Sequence, residues 1–182
     1  MKNVVVKQSM MPSGIYTGTP CMIVDTRLVK TEAGITMSVS DIKEELVKKT
    51  QFSDILMIGD IVSLHEVIIG MNSLGKNIYI QTELDDRIDS VRMLRNIRFR
   101  LNVTADNINS RNVVLLKSSD EIMFDISSLN DYEEAKKLLF AKNIKTPVVI
   151  FRIAQKTDYL FILREYFKEL GTFGFKSRVF VI

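Results

Sequence analysis

A chain of 182 residues, 46% apolar, 26% charged and carrying a net charge of +3, has the composition of a single globular domain, 1–182, with enough apolar residues for a sizeable core. Its one cysteine, Cys21, excludes an internal disulfide framework and any zinc site or iron–sulfur cluster held by three or four thiolates of one chain. Its one histidine, His65, excludes a histidine-rich metal centre, and so small a positive excess does not call for a nucleic-acid partner.

The opening residues contain at most a four-residue apolar stretch, too short for a signal-peptide core. No run approaches the roughly 18 apolar residues of a membrane helix. The expected setting is the cytoplasm, with no membrane partner. The first strand is predicted at Pro20 to Val24, ending at Asp25. Asp41 to Lys49 reads as a helix with Ser38 as N-cap, Asp41 at the capping-box position, and Ile42 and Leu46 inward. Ile55 to Ile58 is a short apolar strand ended by Gly59 and Asp60. Ser63 and Glu66 give a second capping-box signal, followed by Leu64, Val67, Ile68, Met71 and Leu74 at helical spacing and a stop at Gly75.

Asn77 to Gln81 is the third strand. Asp86 to Arg95 reads as a helix with Ile88, Val91 and Leu94 inward. Ile97 to Val103 is the fourth strand, and Val113 to Leu116 fits either a short helix or a strand. Glu121 to Ile126 is a strand. Asn130 and Glu133 are expected to cap a helix reaching Ala141. Pro147 to Ile153 is a strand, Thr157 to Leu170 the clearest helix, and Arg178 to Ile182 the last strand.

About seven strands thus alternate with about five helices, and the strand segments read as apolar on both faces, as parallel strands covered by helices do. The expected class is α/β. An eight-unit barrel needs at least about 200 residues. The expectation is therefore an incomplete (βα) barrel or an open parallel sheet of about six to seven strands.

Ligands of parallel α/β folds sit at the carboxyl ends of the strands. Those ends carry Asp25, Gly59, Asp60, Gln81, Thr82, Glu83, Asn102, Thr104, Asp106, Asp125, Arg152 and Gln155. Asp25, Gly59, Asp60, Thr82, Glu83, Thr104, Asp106, Asp125 and Arg152 are the ligand-binding candidates. Asp25, Asp60, Glu83 and Asp125 could hold a divalent metal through oxygen, although each such residue also caps helices and turns in any fold.

Tyr16, Thr17, Gly18, Thr19 and Pro20 resemble the "YTGTP" of the 7-carboxy-7-deazaguanine synthases, small radical S-adenosylmethionine proteins of the queuosine and archaeosine pathway, in the wider organic radical activating enzyme family. The resemblance runs in order through nearly the whole chain. Met37, Ser38 and Glu44 are similar to the family's "MS-x-x-EI". Ile55 to Asp60 lies where "TGGEP" closes a strand, and Lys76 to Glu83 resembles "G-x-x-I-x-I-ETNG". Asp120 to Phe124 resembles "DE-x-KF", Val148 to Phe151 the "V-x-I-QP" strand, and Arg178 and Val179 the terminal "RV". It implies a partial barrel with a radical-SAM-like fold.

The departures from the family concern its chemistry. The family holds its cluster with three cysteines directly after the first strand. Here Asp25, Thr26, Arg27, Leu28 and the residues to Thr36 contain none, and Cys21 precedes that loop. "GGEP" is reduced to Gly59, Asp60, Ile61, Val62, and the terminal "PQLHK" is missing. The resemblance therefore implies a relative without an iron–sulfur cluster, without an S-adenosylmethionine site and with no catalytic residue to carry over.

Cys21 reads as a buried small hydrophobe, His65 as a surface residue in the first turn of a helix, and the nine methionines as core filling. Arg87, Arg92, Arg95, Arg98, Arg100 and Arg111, partly offset by Asp85, Asp86 and Asp89, read as a solvated face or a salt-bridged helix in preference to a phosphate- or RNA-binding patch, with Arg98 and Arg100 on one side of a strand. Three functional readings follow. The first is a non-catalytic or repurposed protein binding a small polar ligand or a partner. The second is a metal-assisted enzyme using the acidic rim. The third, compatible with the first, is a homodimer closing the open sheet edge with the apolar segment Val179 to Ile182.

Overall fold

A computed structural model describes residues 3–12, 16–27, 35–48, 52–84, 86–144, 147–155 and 159–182. The expectations placed on Leu28, Lys49, Asp85 and Thr157, and on the side chains of Ser38 and Leu46, fall outside the described residues.

Among the described residues nine strands form one sheet: β1 (Asn3–Met10), β2 (Pro20–Asp25), β3 (Ile35–Ser38), β4 (Asp54–Ile58), β5 (Asn77–Glu83), β6 (Ile97–Asn102), β7 (Glu121–Ile126), β8 (Val148–Ile153) and β9 (Ser177–Val181). Their order is β3-β1-β2-β4-β5-β6-β7-β8-β9. From β2 to β9 every pairing is parallel. β1 runs antiparallel to both β2 and β3. β3 and β9 are the two edges, so the sheet is open among the described residues, as expected. The helices are α1 (Val39–Lys48), α2 (Ile61–Asn72), α3 (Leu129–Ala141) and α4 (Tyr159–Glu169).

The seven parallel strands are those predicted, to within a residue or two at each end. β1 and β3 are additional to them. β1 follows three valines with Lys7, Gln8 and Ser9, so its pairing with β2 on one side and β3 on the other makes it a strand. The helix expected over Asp86 to Arg95 is a single 3-10 turn, Ile88–Ser90, followed by irregular turns. Its inward residues recur every three positions, a period that a 3-10 turn satisfies as well as an α-helix does. Val113 to Leu116 belongs to a second 3-10 turn, Arg111–Leu115, and its end.

Two caps also differ. α2 is capped by Asp60, whose side chain accepts a hydrogen bond from the Ser63 N–H, and α3 by Ser128 in a reciprocal capping box with Asp131. The true caps precede the predicted ones because α2 begins at Ile61 and α3 at Leu129.

Alternation along the strands divides the sheet into two faces. One face, covered by helices and 3-10 turns, is apolar and buries Met22, Val24, Met57, Ile80, Phe99, Leu101, Phe124 and Phe151. Each fully buried side chain of this kind contributes about 1.5–3 kcal/mol. The opposite face is mixed. Cys21, Ile23, Leu56, Ile58 and Tyr79 form a small cluster with Met11, and Met123, Val148 and Ile150 form another. Between them lie charged residues, so the strands are not apolar on both faces.

Candidate functional site

The site begins where β2, β4, β5 and β6 end side by side. At the end of β2, Asp25 turns inward and is buried, and its carboxylate accepts hydrogen bonds from the Arg27 N–H (2.8 Å) and guanidinium (3.3 Å from both Nε and Nη2). At the end of β4 the chain must turn sharply into α2. Gly59 makes this turn at φ +138°, and a Cβ built on it would lie 1.9 Å from Thr26 Oγ1. Glycine is required there for its backbone conformation and for the close approach of Thr26. Asp60 then caps α2.

β5 supplies three consecutive polar side chains. Gln81 and Glu83 lie on the face away from the helices. Thr82 is on the other face and donates to Asp86 Oδ2 at 2.6 Å. The same Asp86 oxygen accepts from the Ile61 N–H at 2.9 Å, so one carboxylate ties the first turn of α2 to the end of β5. Glu83 accepts from Asn102 Nδ2 (3.0 Å), Asn102 Oδ1 accepts from Arg152 Nη2 (3.3 Å), and Arg152 pairs with Asp125 at 2.7 Å. This chain of contacts crosses the rim from β5 to β8.

Most predicted rim residues are therefore placed together, and several of them, Asp25, Asp60, Thr82, Glu83 and Asp125, have local partners of their own. Thr104 makes a reciprocal turn with Asn107, Thr104 N–H to Asn107 Oδ1 (2.9 Å) and Asn107 N–H to Thr104 Oγ1 (3.3 Å). Asp106 is exposed, and the Gln155 N–H donates to the Ile182 carbonyl. Among the described residues no group of three or more histidine, cysteine, aspartate or glutamate side chains is arranged to hold a metal ion. Asp25, Asp60, Glu83 and Asp125 are distributed over four strand ends and do not converge.

A cleft of about 480 Å³ lies over these ends, lined by Arg27, Gly59, Asp60, Gln81, Thr82, Glu83, Asp86 and Asn102. Its neighbour, a hollow of about 310 Å³ between β6, β7 and α3, shares Glu83 and Asn102. Asp86 and Arg27 join the site only in three dimensions. In the sequence Asp86 reads as part of a helix, and its tie to Ile61 spans 25 residues.

Below the rim the charges are buried. Arg100 and Glu121 pair at 2.9 Å with almost no exposure of either, and Arg100 Nη1 also lies 3.3 Å from Met11 Sδ. On the helix side Arg92 pairs with Asp120 at 2.6 Å, both of them buried, with its guanidinium 5.1 Å from the Phe99 ring centre. Arg98 lies over Tyr16, 4.5 Å from the ring centre, and donates to the Tyr79 hydroxyl, which donates to Asp54 at 3.0 Å. The expected solvated arginine face is thus corrected at Arg92 and Arg100, whose carboxylate partners lie on or beside β7. Cys21 is buried in mid-strand, and burial first, then the Asp54 charge, pushes its thiol up to about 11. His65 is half-buried in the second turn of α2.

No protein-family model matches the chain, and no curated protein is significantly similar to it. Solved structures are similar to it. Streptococcus suis SuiB has a TM-score of 0.53 at 14% identity over 79% of this chain and 43% of SuiB. SuiB bound to S-adenosylmethionine has the same score and identity over 83% and 45%, and SuiB bound to its precursor peptide SuiA the same over 83% and 44%. The chain spans less than half the length of SuiB, and at this identity the likeness is one of fold: an α/β domain with an open, mostly parallel sheet.

Proposed function

We propose that this chain is a radical-SAM-like protein, a relative of the 7-carboxy-7-deazaguanine synthases, that has lost the iron–sulfur cluster and the S-adenosylmethionine site. On this reading the rim binds a small polar ligand or a partner and performs no radical chemistry. One observation carries the reading. The segment after β2, residues 26–34, contains no cysteine, and the chain's one thiol sits buried inside β2. A cluster that leaves one iron free for a cofactor needs three thiolates. The fold shared with SuiB, a protein seen with S-adenosylmethionine bound, supports the ancestry. The replacement of the family's "GGEP" by Gly59, Asp60, Ile61 and Val62 supports loss of the cofactor site. The apolar, singly charged edge strand β9 supports a homodimer.

Anaerobic incubation of the full chain with iron and sulfide, followed by desalting, tests this. The expected product is colourless, and calorimetry with S-adenosylmethionine gives no binding heat. A stoichiometric iron–sulfur chromophore overturns the reading.

A further inference from the structure

We propose that the rim groove seats an alkylammonium chain, either a linear polyamine or lysine side chains of an extended peptide, with its leading ammonium at Gln81 and Glu83. The first ground is Gln81. It is only 7% exposed and lines the 480 Å³ cleft, yet no described residue hydrogen-bonds its carboxamide. The carboxamide is not among the fully enclosed unpaired atoms, so it opens onto the cleft, where a ligand can meet it with a hydrogen bond that no neighbouring side chain supplies.

The second ground is charge. Arg27 and Arg152 are matched by Asp25 and Asp125. Four other carboxylates along the groove take only neutral donors among the described residues. Glu83 accepts from the Asn102 amide, and Asp86 from the Thr82 hydroxyl and the N–H groups of Ile61 and Arg87. Asp131 accepts from the N–H groups of Ser127 and Ser128, and Glu134 from Asn130. A chain of net charge +3 thus gathers, along one groove, four carboxylates that no described cation neutralises.

The third ground is shape. Because the cleft and the 310 Å³ hollow share Glu83 and Asn102, they form one groove running past the ends of β4, β5, β6 and β7. Three strand spacings make that about 14 Å, the span of an extended polyamine. The hollow is walled by Phe124, Ala135 and Leu138, which suit methylene segments. A metal ion would gain nothing from that wall. An ammonium is a pure donor, and Gln81 and Glu83, two residues apart on one face of β5, offer it acceptors.

This rests on the reading that the rim binds a ligand. A reconstituted cluster would overturn the loss of radical chemistry and leave polyamine binding to be measured on its own. A colourless protein that ignores amines would overturn only the present proposal. The experiment is calorimetry of the full chain with spermidine and, in parallel, with trilysine, at physiological salt. Saturable binding is expected, with the tighter of the two identifying the source. The double variant E83Q/E134Q and the uncharged change Q81L each weaken it about tenfold or more, while E44Q, which removes an exposed carboxylate on α1 away from the groove, leaves it unchanged. No binding of either amine at millimolar concentration, or an equal loss in E44Q, overturns the proposal.

Discussion

The two faces of the sheet come from the same strands, one residue in two, yet they are held by different physics. On the helix face, Phe99, Leu101, Phe124 and Phe151 belong to one apolar core, with Phe124 6.1 Å from Phe151, Tyr132 of α3 edge-on to Phe151 at 5.3 Å and Tyr166 of α4 at 6.0 Å. On the other face, Gln81, Arg100, Glu121, Asn102 and Arg152 stand among a few apolar residues. The adjacent acids Asp120 and Glu121 show the contrast most directly. Asp120 takes the Arg92 guanidinium and the N–H groups of Phe99 and Lys117, which fixes loops on the helix side. Glu121 takes Arg100 and ties β6 to β7 on the open side. The apolar face supplies net stability. A buried ion pair recovers at most its own desolvation cost and mainly fixes which groups meet.

Two substitutions of similar size break this comparison in different ways. Arg100→Met removes the guanidinium paired with the buried Glu121 carboxylate and is expected to cost about 3–5 kcal/mol. The double variant Arg100→Met/Glu121→Leu is expected to return to within about 1–2 kcal/mol of the parent, since both charges are gone. Phe151→Ala opens a cavity beneath Tyr132 and Tyr166 and costs about 3–5 kcal/mol, with no second change that repairs it. Urea unfolding of the four proteins measures all three. A double variant as unstable as the single one would mean that the ion pair contributes net stability, which erases the distinction between the faces.

That difference also explains what could be read from the residues. The parallel strands were legible because Ile55 to Ile58, Ile122 to Phe124 and Val148 to Phe151 are short apolar runs within segments bounded by turn residues. The rim was legible because parallel topology places Asp25, Gly59, Glu83 and Asp125 at one end. Less could be read where a contact joins distant residues. Nothing near Arg100 announces that Glu121, on the next strand, will bury it. Asp86 looks like a helix residue until Ile61, 25 positions earlier, is placed beside it. β1 has no alternating pattern of its own, and its neighbours β2 and β3 supply its hydrogen bonds.

A smaller effect belongs to the rim turn. Gly59→Ala forces a Cβ against Thr26 at a φ of +138°. The expected loss is about 1–3 kcal/mol. Adding Thr26→Ala relieves the clash and leaves only the backbone strain, so thermal unfolding should show a partial recovery. Equal midpoints for the single and double variants would mean that strain alone requires glycine here.

The smallest effect is a pH dependence between the helices. Glu169 of α4 accepts from both Lys136 Nζ (2.8 Å) and the Tyr132 hydroxyl (3.0 Å) of α3. Partial burial works against its ionisation. The hydrogen bonds from Lys136 and Tyr132 outweigh that and hold its carboxyl below the usual range. A depressed carboxyl contributes stability that is fully present above the unfolded-state value of about 4.3 and is lost as pH falls through the folded value. The contribution is modest because the Glu169 side chain is one-third exposed and solvent screens the pair. Urea unfolding of wild type and Glu169→Gln should therefore differ at pH 6 and converge as pH drops below about 4. A difference that persists unchanged into acid would assign the loss to packing at the α3–α4 contact and not to the charge on Glu169.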